Sequence, residues 1–506
     1  MYPSTIVRDA SPTSYDDVPY DSHPIWVTHP DHLAVIATLA GMRPASVDHC
    51  RVLELGCASG GNLIPMAVAL PESQFVGVDL SPAQVAVGQA TITALGLRNV
   101  TLEAQSILDL DESIGTFDYI VCHGVYSWVP PAVQDGILAV FARHLTPQGV
   151  AYVSYNTHPG WHLRGMVRDM MLFHAARFTE PVERIRQARA FLDFLAAAVR
   201  RPDAPFGSQL REEAELLRDA PDSYLFHEHL ESDNQPVYFH EFVARVTPHG
   251  LQYVGEAQPT TILPGEFPPD VERTLRQMAE DEVQFEQYLD FLRNRTFRRT
   301  LLGRNDVSLQ RSWSGAQFRE LFLSSRSQQV DEQESLVDPK VIARFRNPRG
   351  SILSASHPLV KGALAFLGTR RGERVPYRDL LEGAAQRGGW SSPLSAEDEQ
   401  GLVESLLVGW LGGFVELHSH AGRAARSPAE RPLASPLARL QAASGRRVSS
   451  LRHRVVELEE PDRRLLCLLD GTRDRATLVE HLPELAPEGL LDARLRGFAD
   501  TALLLA

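Results

Sequence analysis

Between Arg51 and Asn156 the chain alternates five times between short, continuously apolar runs and longer helical segments. The runs are RVLELGC (51–57), QFVGVDL (74–80), VTLEAQSI (100–107), FDYIVCHG (117–124) and GVAYVSYN (149–156). Between them lie GNLIPMAVAL (61–70), SPAQVAVGQATITALGL (81–97) and a helical stretch over 131–145. Ser81 is placed to cap the second helix, with Pro82 at its first position. Strands that are apolar on both faces and joined through helices demand a parallel sheet covered on both sides. The right-handed crossover rule then leaves few topologies. The fold class is therefore α/β, a Rossmann-like doubly wound sheet.

At 506 residues the chain exceeds a single core, and a prior of about 150 residues per domain suggests roughly three. WHLRGMVRDMMLFHAARF and the two stretches that follow it, over 161–220, are amphipathic and helical, with no strand signal. In 239–264 a helix breaks at Gly250 and a strand follows, which reads as a return to the sheet. The helices between would then be an insertion that caps it. Residues 268–304 read as one long helical stretch, its apolar side carried by Leu275, Met278, Val283, Phe285, Leu289, Phe291 and Leu292. Beyond 310, LVKGALAFLG and EDEQGLVESLLVGWLGG look helical and FVELHSH like a strand. AGRAARSPAERPLASP (421–436) reads as an exposed linker, and the helix–DGT turn–helix pattern after it resembles a small winged-helix unit. The expected division is 1–160 as the core, 161–235 as a helical insertion or cap, 236–305 as the return strand and its sequel, 306–420 as a mostly helical middle domain, and 421–506 as a winged-helix-like domain.

Hydrophobic residues make up 43% of the chain, yet no apolar run approaches the ~20 residues that span a bilayer. The first residues, MYPSTIVRDASPTSYDD, have no basic patch leading into an apolar stretch, so no secretory signal is expected and the location is expected to be cytoplasmic. A net charge of −14 argues against bulk attraction to nucleic acid or anionic lipid. Cys50, Cys57, Cys122 and Cys467 form no CxxC pair, which indicates neither a zinc ribbon nor a disulfide framework. His227, His229 and His240 are close in sequence but lack ligand spacing, so no metal is expected. The C-terminal arginines Arg439, Arg446, Arg447, Arg452 and Arg454 read as a solvated surface rather than an acidic-partner site. The lysines are Lys340 and Lys361 alone; codon bias explains that scarcity as well as avoidance of self-modification does.

The chemistry concentrates in VLELGCASGGN, where Glu54-x-Gly56-x-x-x-Gly60 closes the first strand. Parallel sheets bind ligands outside the carboxyl ends of their strands, where the strand order reverses. Gly56 permits a tight turn, and Gly60 and Gly61 let the next helix begin close to a ligand. The spacing is wider than the GxGxxG that sets a pyrophosphate on a helix N-terminus, and no Arg or Lys lies in the loop. Asp79 ends the second strand, where a carboxylate suits a ribose diol because it can accept two hydroxyl hydrogen bonds. The pocket calls for a nucleoside without a pyrophosphate, and S-adenosyl-L-methionine fits. A Rossmann-type domain holding another nucleotide, or none, is the alternative.

Loop, ribose acid and alternating strands together resemble the class I S-adenosylmethionine-dependent methyltransferases. The resemblance implies a seven-stranded sheet whose last strands form an antiparallel hairpin, and GLQYVGEA (250–257) fits one of them. It implies Glu54 among the cofactor-binding residues, Gly56, Cys57, Ala58 and Gly60 around the methionine part of the cofactor, Asp79 on the ribose and Leu80 under the adenine. It implies Ser106 and Ile107 flanking the adenine, and His123 with Gly124 below the sulfonium.

Four further stretches, YDDVPYDSHP (15–24), HGVYSWVPPAVQDGIL (123–138), SYNTHPGWHLRGMVRDMM (154–171) and VYFHEFVARVTPHGLQY (237–253), are similar to bacterial methyltransferases that carry a methyltransferase regulatory domain. That group includes the rickettsial protein-lysine methyltransferases acting on outer-membrane protein. The resemblance covers nearly all of 15–305, and implies a protein substrate, with a surface or outer-membrane protein before export as one candidate, and a substrate-docking or homodimer role for the C-terminal part. Methyl transfer to a lysine requires in-line alignment and a neutral amine, although a free lysine has a pKa of about 10.4. A desolvated aromatic slot disfavours the charged form. Tyr126 and Trp128 are placed to wall such a slot, with Tyr20 on an N-terminal flap and Asn156 accepting a hydrogen bond from the amine. A small-molecule N- or O-methyltransferase and a non-catalytic cofactor-binding protein are the competing expectations.

Overall fold

The computed structural model describes residues 22–201, 204–258, 267–310, 315–390 and 393–506, so Tyr20 lies outside the described residues. A seven-stranded sheet runs through the first 304 residues in the order β3-β2-β1-β4-β5-β7-β6. Strands β1 (Arg51–Leu55), β2 (Gln74–Asp79), β3 (Val100–Ala104), β4 (Phe117–Cys122) and β5 (Leu145–Asn156) are mutually parallel. Leu53 sits between Val76 of β2 and Ile120 of β4. The order reverses between β1 and β4, which opens a crevice at their carboxyl ends.

Both faces are covered, as the apolar strands require. On one face Val52 and Val121 join a core with Leu33 of α1 (Pro30–Leu39) and Leu63 and Met66 of α2 (Leu63–Ala69). On the other, Leu53, Leu55 and Ile120 pack with Ile137 and Phe141 of α4 (Pro131–His144). Helix α3 (Pro82–Leu95) starts as expected, with the Ser81 hydroxyl accepting from the Gln84 amide and proline at its first position. Cys50, Cys57 and Cys122 are buried as small hydrophobes, and all four cysteines are free thiols.

The stretch over 268–304 is not one helix. Helix α9 (Pro269–Met278), α10 (Glu282–Arg293) and then strand β7 (Phe297–Arg304) occupy it. Met278, Phe291 and Leu292, expected on the apolar side, are exposed, whereas Leu275, Phe285 and Leu289 are buried. Helix α10 stops at Asn294, whose left-handed backbone (φ 46°) turns the chain back to the sheet. β7 inserts between β5 and β6 (Leu251–Glu256), antiparallel to both, and so completes the hairpin at the sheet edge. The strand was hidden by its arginines. Arg298 is wholly buried, its guanidinium 2.7 and 2.9 Å from the Asp290 oxygens, 2.9 Å from Glu286 and 3.4 Å from Glu256, and it lies 3.7 Å above the Phe239 ring.

The insertion forms helices α5 (Gly160–Ala175), α6 (Pro181–Ala198) and α7 (Pro205–Arg218), followed by α8 (Phe239–Val246) before β6. Helices α5 to α7 share their own core, built on Met171, Ile185, Leu192, Leu210 and Leu217. From Gly315 to His418 helices are joined by two small three-stranded sheets; Glu416–His418, expected as a strand, is an edge of one of them. Lys361 is wholly buried there, its ammonium donating to the carbonyls of Ser335, Asp338 and Val341. The segment 421–436 is not a free linker: Ala425 donates to Leu504, Ala434 donates to Leu469, and the Ala434 side chain is wholly buried. Its small alanines fit crevices that larger side chains would not enter, while their composition imitates a spacer.

The parts meet at the start of α1. Buried Asp31 accepts from the Ser419 amide at 2.6 Å and hydroxyl at 2.8 Å, and takes His418 Nδ1 at 3.1 Å and Arg374 at 3.2 Å. Among the described residues no helix is long and apolar enough to cross a membrane.

Candidate functional site

The crevice between β1 and β4 is floored by the loop after β1. Gly56 has φ 75°, and a Cβ there would come within 2.4 Å of Val125, so only glycine fits. The amides of Gly56 and Cys57 both donate to the Val78 carbonyl, which ties the loop to the tip of β2. Ala58 carries the left-handed strain of a non-glycine residue, φ 47°, and its amide donates to Asp79 Oδ2 at 2.8 Å. The other Asp79 oxygen accepts from Ser81 N at 2.9 Å. Each oxygen thus accepts one backbone N–H. Gly60 (φ 72°) and Gly61 start the approach to α2; a Cβ on Gly61 would meet the Ser22 carbonyl at 2.2 Å.

Beneath the loop lies a buried polar relay. Glu54 is 4% exposed; its Oε1 accepts from Asn62 Nδ2 at 2.6 Å, while Oε2 is buried with no hydrogen-bond partner. Burial pushes the Glu54 carboxyl up to about 8; the Asn62 hydrogen bond opposes the shift and the Asp79 charge adds to it. Asn62 is saturated: its amide nitrogen also donates to Thr28 Oγ1 at 2.9 Å, and its oxygen accepts from Ile25 N at 2.9 Å and His453 Nε2 at 2.7 Å. Cys57 is buried against the loop and its thiol is raised by burial, which leaves it inert.

Leu80, at the tip of β2, is an apolar side chain left 62% exposed. At the tip of β3 Ser106 and Ile107 are half-buried, and the Ser106 hydroxyl accepts from Leu108 N. At the tip of β4 the His123 ring stacks on Tyr152, its Nδ1 2.8 Å from the phenol oxygen, with Phe297 of β7 at its edge. Burial drops the His123 pKa to about 3, and the nearby Arg299 charge adds to that, so the ring is neutral. Gly124 N donates to Ser154 Oγ at 2.8 Å.

Of the four residues proposed from sequence for the acceptor side, Tyr20 lies outside the described residues, and Tyr126, Trp128 and Asn156 do not share one open slot. Tyr126 is wholly buried, its ring against Phe242 and Tyr155. Trp128 is half-buried and meets Trp161 of α5 edge to face at 6.2 Å. Asn156 is buried and donates to Asn234 Oδ1 at 3.0 Å. Its backbone amide donates to Ser127 Oγ, and Gln235 N donates to the Ser127 carbonyl, so the segment 234–237 straps the carboxyl ends of β4 and β5. His158, His162 and Tyr238 continue this lip: the two imidazoles stack at 3.9 Å and the Tyr238 hydroxyl lies 3.1 Å from His162 Nε2.

Trp161, Tyr238, Asn62 and His453 were not singled out from sequence. The first two lie in THPGW and VYF, aromatic positions that sequence alone does not separate from core. The three clustered histidines have separate surroundings: His227 pairs with Glu231 at 2.9 Å, His240 with Gln287 at 3.0 Å, and His229 is buried with both ring nitrogens unpartnered.

The donor set fits an adenosyl group with a cationic amino-acid tail. A buried carboxyl group with one unpartnered oxygen, a glycine-rich loop whose other side chains are small, and a carboxylate at the neighbouring strand tip are present, with no basic residue in the loop.

Comparison with known proteins gives three family matches along the chain. Residues 52–149 match a "Methyltransferase domain", 221–304 a "Predicted methyltransferase regulatory domain", and 430–499 the "PKMT, C-terminal winged helix domain". An uncharacterised protein of Rickettsia prowazekii is 35% identical over 480 residues, 94% of this chain and 86% of the relative. A second uncharacterised protein of that organism is 42% identical over 240 residues, 47% of this chain and 96% of its own. The structure of PKMT2 from Rickettsia typhi in complex with AdoHcy superposes with a TM-score of 0.84 at 29% identity, covering 96% of this chain and 100% of that one.

Proposed function

Because this chain belongs to the S-adenosylmethionine-dependent methyltransferases that carry the methyltransferase regulatory domain and the PKMT winged-helix domain, we propose that it methylates lysine side chains of protein substrates. The observation that carries the donor site is the unpartnered Glu54 oxygen behind a loop whose glycines admit no Cβ, one strand from Asp79. The likeness to PKMT2 supports lysine as the acceptor.

S-adenosylmethionine, when bound, supplies an electrophilic methyl group on a sulfonium. Asp79, a carboxylate at the neighbouring strand tip, would accept the ribose hydroxyls. Glu54 Oε2 would take the amino-acid ammonium, and Gly56 and Gly60 let the loop make its tight turns beside it. Leu80, Ser106 and Ile107 provide an apolar seat for adenine at the tips of β2 and β3. His123, neutral and stacked on Tyr152, closes the crevice below the sulfonium without adding a competing charge.

On the acceptor side the half-buried Trp128, backed edge to face by the buried Trp161, offers the desolvating aromatic surface that a neutral amine requires. Tyr126 supports that wall from the core rather than facing the substrate, and Asn156 pins the 234–237 strap. Action in the cytoplasm, on a surface or outer-membrane protein before its export, belongs to the same proposal, as does a homodimer. The exposed Phe173 (83%), Val182 (75%) and Phe194 (63%) on α5 and α6 support contact between two copies.

Labelled methyl donor, incubated with the protein and a whole-cell lysate, is expected to mark protein bands, with label recovered as methyl-lysine after hydrolysis. Label confined to small molecules in every lysate refutes a protein substrate; label on another residue refutes lysine. Asp79→Ala is expected to abolish donor binding. Trp128→Ala is expected to keep donor affinity while turnover falls about tenfold or more, since only acceptor alignment is disturbed.

A further inference from the structure

The winged-helix domain reaches into the donor site. His453 lies on the turn between the strands Arg447–Ser449 and Val455–Glu457. The turn is tightly built: Ser450 N donates to the Arg454 carbonyl, His453 N donates to the Ser450 carbonyl, and Arg454 N donates to the Ser450 hydroxyl. It holds His453 in the left-handed region at φ 56°, a conformation that histidine adopts only when its surroundings impose it. The ring is 3% exposed and lies 5.1 Å from the His29 ring at the start of α1. The next residue, Arg454, covers the Trp26 ring at 4.1 Å, so the whole turn is seated on the segment that leads into α1.

The hydrogen-bond pattern leaves one arrangement for the ring. Asn62 Oδ1 already accepts from Ile25 N, so the amide oxygen faces His453 and the imidazole Nε2 is the donor. Burial, reinforced by His29, holds the ring well below its ordinary pKa, so it is neutral. Its Nδ1 is buried without a partner. With the oxygen of Asn62 held by Ile25 N and His453 Nε2, its nitrogen is directed at Glu54 Oε1, while Thr28 Oγ1 lies within reach of both amide atoms. A residue 391 positions away from Asn62 thus sets the orientation of a side chain that holds the Glu54 carboxylate.

We propose that His453 is a positioning residue for methyl-donor binding, acting through Asn62 to hold Glu54 so that its second oxygen stays free for the donor's ammonium group. The proposal rests on the donor site assigned above. The donor site is then incomplete without the C-terminal domain. By linkage, donor binding and the docking of that domain strengthen each other by the same factor.

The test uses the full chain and S-adenosylhomocysteine, titrated by calorimetry. His453→Asn keeps a residue that tolerates the left-handed backbone but is too short to reach Asn62. His453→Gln places an amide N–H near the position of Nε2. The Asn variant is expected to bind about tenfold more weakly, the loss of one buried hydrogen bond and its alignment, and the Gln variant to stay within about threefold of wild type. The KM for S-adenosylmethionine should rise in step in the Asn variant while kcat at saturation is kept. Equal binding by wild type and the Asn variant, equal weakening in both variants, or a fall in kcat without a change in affinity overturns the proposal. Failure of the wild-type chain to bind S-adenosylhomocysteine instead overturns the donor site itself.

Discussion

A carboxyl group held at about 8 is protonated at neutral pH, and Glu54 is such a group because it is buried with one oxygen unpaired. A cationic ligand stabilises the charged form, so donor binding should expel the Glu54 proton. Below about pH 8 calorimetry in buffers of different ionisation enthalpy is expected to show proton release on binding, fading above that pH and absent in Glu54→Gln. In the ligand-free protein the sign is the reverse of a paired carboxylate. The folded state holds the proton more tightly, so Glu54 detracts progressively from stability as pH rises from the unfolded value near 4.5 to about 8. The placing of Glu54 and Asp79 at the ends of β1 and β2 was legible in the sequence, because apolar runs and glycine spacing mark the strand tips. Asn62 was one residue past that pattern and carried no signal of its own. Tyr126 and Trp128 are two residues apart on one short turn, and only packing distinguishes the core side from the lip.

Strand β7 shows where legibility failed at the level of elements. The first five strands announce themselves by unbroken apolar runs. FRRTLLGR does not, because Arg298 points into the interior, where three carboxylates and the Phe239 ring replace water. Burial alone would lower the Arg298 pKa, but Asp290, Glu286 and Glu256 together hold it well above the ordinary value. Removing one member of a buried ion network leaves the others uncompensated. Arg298→Met is therefore expected to cost about 3–5 kcal/mol in denaturant unfolding, and Arg304→Met, on the exposed end of the strand, less than about 1 kcal/mol.

At the scale of the whole molecule, the first turn of α1 acts as a clamp between the sheet domain and the segments beyond residue 370. Burial would raise the Asp31 carboxyl, yet Arg374, the His418 hydrogen bond and His420 hold it well below its ordinary range. Its contribution to stability is therefore full above the unfolded value near 3.8 and is lost as pH falls through the lower folded value. Asp31→Asn is expected to separate thermal unfolding into two transitions by calorimetry, with the C-terminal part released first. Long-range contacts of this kind, 388 residues apart for Asp31 and Ser419, leave no mark in local sequence.

Lys361 has all three of its ammonium protons engaged by main-chain carbonyls in a sealed corner, whereas Lys340 is open to solvent. For the lysine acceptor proposed above, the chain thus offers a single open side-chain amine of its own. Autolabelling can be traced to one peptide, and a Lys340→Arg version provides a catalyst whose lysine background is blank.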